Sequence, residues 1–288
     1  MSTLSESQVA ATAALTAAFK ANENREAAKI AAAMALYYSR RVDAEDPSTI
    51  EAWLNLLVPR LIEFSDRGAQ RGATFFDTAR RLEVPNVATD FRASPALGVV
   101  DPGVRESLLK VGPYDFVNKA TDIRNKELSP AVERALLRQA KAETVKKVTA
   151  ATIRHAQAGG RETIHRAAED DPVALGFVRV TDGDPCHFCA MLASRGLRYR
   201  AFKEDSFDLS NRRFNGDGDA KVHDKCGCSL KPVYTDNDPL VKATEKYADL
   251  WSRWGAGGGR DAALRFRRGY EHLQETGEYL TFEQVDTA

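Results

Sequence analysis

All four cysteines of this 288-residue chain fall between positions 186 and 228, in two close pairs. That placement constrains the fold more than any other feature. The first pair is Cys186-X-X-Cys189, and the second sits in His223-X-X-Cys226-X-Cys228. A Cys-X-X-Cys turn presents two thiolates on one side of a tight loop, close enough to share a tetrahedral ion. Asp182-Gly183-Asp184-Pro185, just ahead, supplies the turn chemistry. His223 and Cys226 are three apart, within reach of one turn. Cys226 and Cys228 are two apart, so on an extended segment they share a face. Gly227 between them permits close backbone approach. Five side chains are therefore candidate ligands for an ion that takes four in a structural site. Cys186 and Cys189 are the firm pair, and spacing does not choose among His223, Cys226 and Cys228 for the other two. His187, inside the knuckle, should point away.

Tight cysteine pairs in a reducing compartment indicate a metal rather than disulfides, and zinc is the ion that thiolate-rich tetrahedra take. The N-terminus has no basic residue ahead of an apolar run, so no signal peptide is read there. No stretch approaches the ~20 apolar residues that cross a bilayer. Synthesis and folding in a cytoplasm, with no membrane partner, are the expectation. A structural role for one zinc per chain follows from size, because a module this small buries too little apolar surface to be secure alone. So many thiolates leave little room for the open water position of a catalytic site.

The first 170 residues read as helices. Residues 5–42 are rich in Ala, Glu, Lys and Arg and contain no Gly or Pro, as an unbroken helix requires. Ile30, Met34, Tyr37 and Tyr38 fall at helical spacing. Ser48 and Glu51 form a capping-box pair at the start of the next helix. Ile50, Trp53, Leu54, Leu57, Leu61 and Phe64 then share one face of it. Pro59 within that run predicts a kink or break. Residues 84–103 collect Pro85, Pro95, Gly98, Pro102 and Gly103, a connector. Short helices are expected over 104–110 and 113–125. Ser129-Pro130, a cap followed by Pro at the first helical position, opens a helix to about residue 157. Leu137, Ala140, Thr144, Val148 and Ala151 line one of its sides. Gly159-Gly160 should end it, and a short helix over 161–169 should follow.

The periodicity then changes. Residues 177–180, 197–200 and 229–234 alternate or run β-like and predict three short strands. Residues 237–254 return to helix, ending in Trp251-Ser252-Arg253-Trp254, a docking face onto the rest of the chain or a neighbour. Gly255-Ala256-Gly257-Gly258-Gly259 reads as a joint, residues 260–273 as a last helix, and the acidic tail as loose. The fold class is thus mainly α with a small α+β zinc module. The expected divisions are 1–170 helical, 171–236 zinc-binding, and 237–288 a helical extension.

At the cysteines the chain resembles a known family. Cys-X-X-Cys, a spacer, then His-X-X-Cys-X-Cys is similar to the C-terminal motif of the phage Mu F-like minor head proteins, the head morphogenesis family of tailed phages. The lead-in Gly176-Phe177-Val178-Arg179-Val180-Thr181-Asp182 resembles the strand before that motif. Leu250-Trp251 through Phe266-Arg267-Arg268 resembles the versions from actinobacterial phages. The resemblance spans roughly residues 150–235, and Gly227 stands where the family usually has Arg. It implies a non-enzymatic virion component present in few copies, portal-associated inside the head. Portal or capsid proteins, packaged DNA and further ring-associated copies of the chain would be its partners, and head assembly or DNA delivery its task.

Other features carry less. Asn215-Gly216-Asp217-Gly218-Asp219 resembles the start of a calcium loop but lacks that loop's later Gly and Glu. Residues 195–231 hold nine basic and six acidic side chains, and Arg265-Phe266-Arg267-Arg268 adds a basic cluster. These can meet DNA phosphates, although 41 basic and 41 acidic residues give the whole chain no net charge. His155 and His165 read as surface or helix-end residues. The rival expectation is a treble-clef metal-dependent nuclease in which His223 activates water or holds the ion, but such sites need more histidines and an open metal position.

Overall fold

The computed structural model describes residues 4–86, 90–100, 103–181, 183, 185–197, 227–235, 237–255 and 261–287. It is mainly helical. Helix α1 (Glu6–Arg41) begins at Ser5, whose hydroxyl accepts from the Gln8 backbone while the Gln8 side chain accepts from the Ser5 backbone. Helix α2 (Pro47–Glu83) is capped by Asp46, which accepts from Ser48 N at 2.9 Å. The helix thus starts two residues before the capping box expected at Ser48, with Asp46 as its cap, because Pro47 lacks an N–H and fits the first helical position. The helix continues unbroken through Pro59. Pro59 is exposed, while Leu57, Val58 and Leu61 are buried and hold the helix on both sides of it.

The first core forms where α1 and α2 pack with α3 (Val104–Val111) and α5 (Pro130–Ala156). Ile30, Met34 and Tyr38 meet Trp53, Leu54, Leu57 and Leu61, and Val104, Leu108 and Val148 close the layer. The Tyr38 and Trp53 rings meet edge to face at 5.0 Å, the arrangement aromatic quadrupoles favour. Helix α4 (Pro113–Arg124) lies along α5, where Asp115 meets Lys147 and Thr144.

Gly159 and Gly160 do not separate two helices. Helix α6 (Ala158–Asp170) contains them, and α5 ends at Gln157 instead. Their function is contact: a Cβ on Gly159 would lie 2.1 Å from the Ser65 carbonyl oxygen, and one on Gly72 would lie 2.9 Å from the Gly160 carbonyl. Glycine's low helix propensity argues for a stop, but here the close approach of α2 and α6 decides. Glu23 of α1 seals the crossing and pairs with Arg71 at 2.5 Å. Burial pushes its carboxyl above the usual range against the pull of that guanidinium.

Strands β1 (Gly176–Val180) and β2 (Ser229–Val233) form an antiparallel pair with Gly176 opposite Val233 and Val180 opposite Ser229. The pair rests on α2 and α6 through a second core of Phe19, Phe75, Phe76, Ile164, Phe177, Leu230 and Tyr234. The third expected strand lies at 197–200, of which 198–200 fall outside the described residues, as does the calcium-like segment 215–219.

A third core joins α7 (His187–Ala193), α9 (Glu245–Trp254), α10 (Ala262–Thr276) and α11 (Phe282–Thr287). The helix expected over 237–254 divides into α8 (Pro239–Lys242) and α9 at Ala243-Thr244. Trp254 is wholly buried against Phe266, and its indole N–H donates to the Leu280 carbonyl at 2.9 Å. Its docking surface is the chain's own C-terminal segment. That segment is not loose: Val285 is fully buried, Arg268 donates to its carbonyl, and Arg265 pairs with Asp286. Acidic composition suggested a solvated tail, but one apolar side chain and two arginines from α10 anchor it.

Candidate metal centre

The β1–β2 register brings the two cysteine segments together. Cys228 immediately precedes β2, and β1 leads through Pro185 to Cys186 at the start of α7. Pro185 is held by α10, whose Tyr270 hydroxyl donates to its carbonyl at 2.8 Å and whose Gln274 amide donates at 3.2 Å. Cys186 caps α7, and its sulfur accepts from Cys189 N at 3.4 Å. The expected tight loop is thus the first turn of a short helix. Cys189 Sγ stands 3.5 Å from Cys228 Sγ, both residues are buried, and Cys186 packs against the pair. His187 turns toward α10 and meets Glu271 at 3.1 Å.

His223 and Cys226 lie outside the described residues. Among the described residues no group of three or more His, Cys, Asp or Glu side chains has the geometry of a metal site. The sulfur positions nevertheless suit zinc. Two thiolates ~2.3 Å from one tetrahedral ion stand roughly 3.8 Å apart, close to the observed 3.5 Å. A disulfide would require ~2.0 Å.

Two buried arginines hold Cys228, and sequence reasoning did not single them out. Arg179 of β1 donates from Nη1 to the sulfur at 2.9 Å, and Arg161 of α6 donates from Nε to the carbonyl at 2.9 Å. A guanidinium against sulfur favours the thiolate and offsets the negative charge that clustered thiolates accumulate. Arg179 sits between Val178 and Val180, which reads as a polar residue on the outer face of a strand. Its burial next to an invisible long-range partner left no local signal.

Further buried charges fasten the strands to α2. Arg80 meets Asp171 at 2.9 Å, and the Tyr234 hydroxyl donates to the same carboxylate at 3.2 Å. Burial and the Asp171 charge push the Tyr234 hydroxyl well above its ordinary range. Lys231 lies between Glu83, at 2.5 Å, and Asp238. Burial raises the Glu83 carboxyl despite Lys231.

The two histidines on helices occupy different settings. His165 is partly exposed and meets the Phe177 ring edge to face. His155 is at a helix end as expected, in the last turn of α5, but it is buried rather than on the surface. Burial lowers it to about 3, with Arg154 as a second cause, so the neutral ring accepts from Arg154 Nη2 at 3.0 Å.

A family model described as VG15 protein matches residues 8–254, a span that includes all four cysteines. The Gene 15 protein of Mycobacterium phage D29 is 27% identical over 228 residues, covering 70% of this chain and 75% of that relative. No solved structure matches.

Proposed function

The chain belongs to the VG15 protein family, and on that premise we propose that it is a non-enzymatic minor capsid protein of a tailed bacteriophage. It acts in head morphogenesis, portal-associated inside the head, and carries one structural zinc. The observation that carries this reading is the family match running through both cysteine segments, together with the 3.5 Å approach of Cys189 and Cys228. The similarity to a mycobacteriophage protein supports the phage origin, and the resemblance to Mu F-like head proteins supplies the specific role. Among the described residues no helix is long and apolar enough to cross a membrane.

Cys186, Cys189 and Cys228 would hold the ion with a fourth ligand from His223 or Cys226. When bound, zinc supplies coordination energy coupled to folding, on the order of 10–16 kcal/mol in small peptides. The protein's own part is orientation. Arg161 fixes the Cys228 backbone, Arg179 directs its sulfur, and α10 steadies Pro185 ahead of Cys186. Residues 1–170 would offer the helical surface for portal or capsid contact, 171–236 the zinc module, and 237–288 the extension. Basic side chains such as Arg267 would meet packaged DNA.

Peptide mass spectrometry on purified proheads and mature virions tests the role. The chain should appear in both at a copy number far below the major capsid protein, and its absence from both overturns the reading. Metal analysis of the purified chain should return one zinc per polypeptide, and a metal-free folded chain overturns that part alone.

A further inference from the structure

Lys231 is 1% exposed and its ammonium position lies between two buried carboxyl groups. Asp238 is 1% exposed and Glu83 is 4% exposed. Lys231 Nζ is in direct contact with Asp238 Oδ2 and lies 2.5 Å from Glu83 Oε1. Three ionised groups here leave an excess negative charge in the interior, which is costly to desolvate. When one proton passes from Nζ to Oδ2 across this contact, an amine nitrogen faces a carboxylic acid. Those are the two reactants of amide condensation, held in contact and away from water.

We propose that Lys231 and Asp238 are joined by an intramolecular amide bond, with Glu83 as the proton carrier. The Lys231 nitrogen lone pair attacks Asp238 Cγ and the C–N bond forms. Glu83 accepts a proton from that nitrogen and delivers one to Oδ2, which leaves as water when its bond to Cγ breaks. The reactants lose one water in total, and no oxidant or other reagent is consumed. Oδ1 remains as the amide oxygen. It already accepts a hydrogen bond from Leu240 N at 2.8 Å, which polarises the carbon under attack and survives the reaction. The raised Glu83 carboxyl suits a group that must both give and take a proton. The competing dehydration is closed at this position. Asp238 is followed by Pro239, which has no backbone N–H to attack the side chain. The product replaces two buried charges by a neutral amide and ties the middle of β2 to the start of α8. It requires no metal and is independent of the capsid reading.

Intact mass spectrometry of the denatured full-length chain decides the matter. The expected mass is lower than the sequence mass by one water. Chymotryptic cleavage after Tyr234 should leave the fragments carrying Lys231 and Asp238 still linked. Asp238→Asn keeps an acceptor with a different leaving group, so its deficit should become one ammonia. Lys231→Arg should show no deficit, and Glu83→Gln should cut the linked fraction at least tenfold. A wild-type chain that is folded by circular dichroism yet has its full sequence mass overturns the proposal and leaves an ion triad only. A deficit that persists in Lys231→Arg overturns it equally.

Discussion

At the α2–α6 crossing Gly159 leaves no room for a methyl group, whereas two residues further along the same helix Arg161 reaches out to hold Cys228. The first region is closed by fit. Backbone meets backbone, and the groups between them are glycines, Ser65 and one buried carboxylate. The second is closed by functional groups brought from four directions: sulfurs from α7 and the start of β2, and guanidiniums from β1 and α6. Close packing is intolerant of added volume but indifferent to metal or redox state. The cysteine corner should be the reverse, tolerant of small steric change and dependent on the chemistry of its donors.

The largest effect is expected at the crossing. Gly159→Ala should destabilise the whole chain by at least about 3 kcal/mol, the upper part of the range for overpacking, read by urea unfolding. A loss below ~1 kcal/mol would mean the helices can slide apart, and the contrast with the cysteine corner would fail. Acidification should probe the first core next. His155 is neutral when folded down to about 3, whereas in the unfolded chain it protonates near ~6.5. Between those values the unfolded state binds the extra proton, so stability falls as pH drops, by about 2 kcal/mol at pH ~5. The raised Glu23 and Glu83 carboxyls act oppositely, since their contribution is greatest below the ordinary carboxylate range and fades as pH rises. Comparing wild type with His155→Gln isolates the histidine, and identical pH profiles would disprove its burial in the neutral form.

At the cysteine corner Cys228→Ser should act locally. Amide exchange in β1 and β2 should accelerate at least about tenfold, or ~1.4 kcal/mol, while α2 and α6 keep their protection. Uniform acceleration would show that the two regions share one cooperative unit. The smallest effect serves as calibration. Gly277 has φ +76 with open space around it, so Gly277→Ala should cost about 1 kcal/mol of backbone strain alone. The excess at Gly159 is then the measure of contact.

The long helices were legible because their signals are local. Residues 5–42 contain nothing that stops a helix, and Pro130 after Ser129 marks a start that the structure shares. The heptad-like face from Ile50 to Leu61 is buried as its spacing requires. What failed depended on partners distant in sequence. Gly159-Gly160 looks like a terminator until α2 is laid across it, and the acidic tail looks solvated until Val285 meets the third core. At the cysteine corner the spacing offered five candidate ligands without choosing among His223, Cys226 and Cys228, and the three that lie among the described residues, Cys186, Cys189 and Cys228, are gathered by the fold. The spacing gave no hint of Arg161 and Arg179, since an arginine's burial depends on what approaches it and not on its neighbours in the chain.

The pairing of Val180 with Ser229 has a consequence for how such chains can diverge. It works as a clasp, so that everything threaded between those two residues leaves and returns through one fixed gate. Lengthening a tethered segment of this kind changes closure entropy only logarithmically, by about 0.6 kcal/mol per doubling. Insertions placed after α7 can therefore lengthen the span, and deletions shorten it, without shifting the sulfur of Cys228 from that of Cys189.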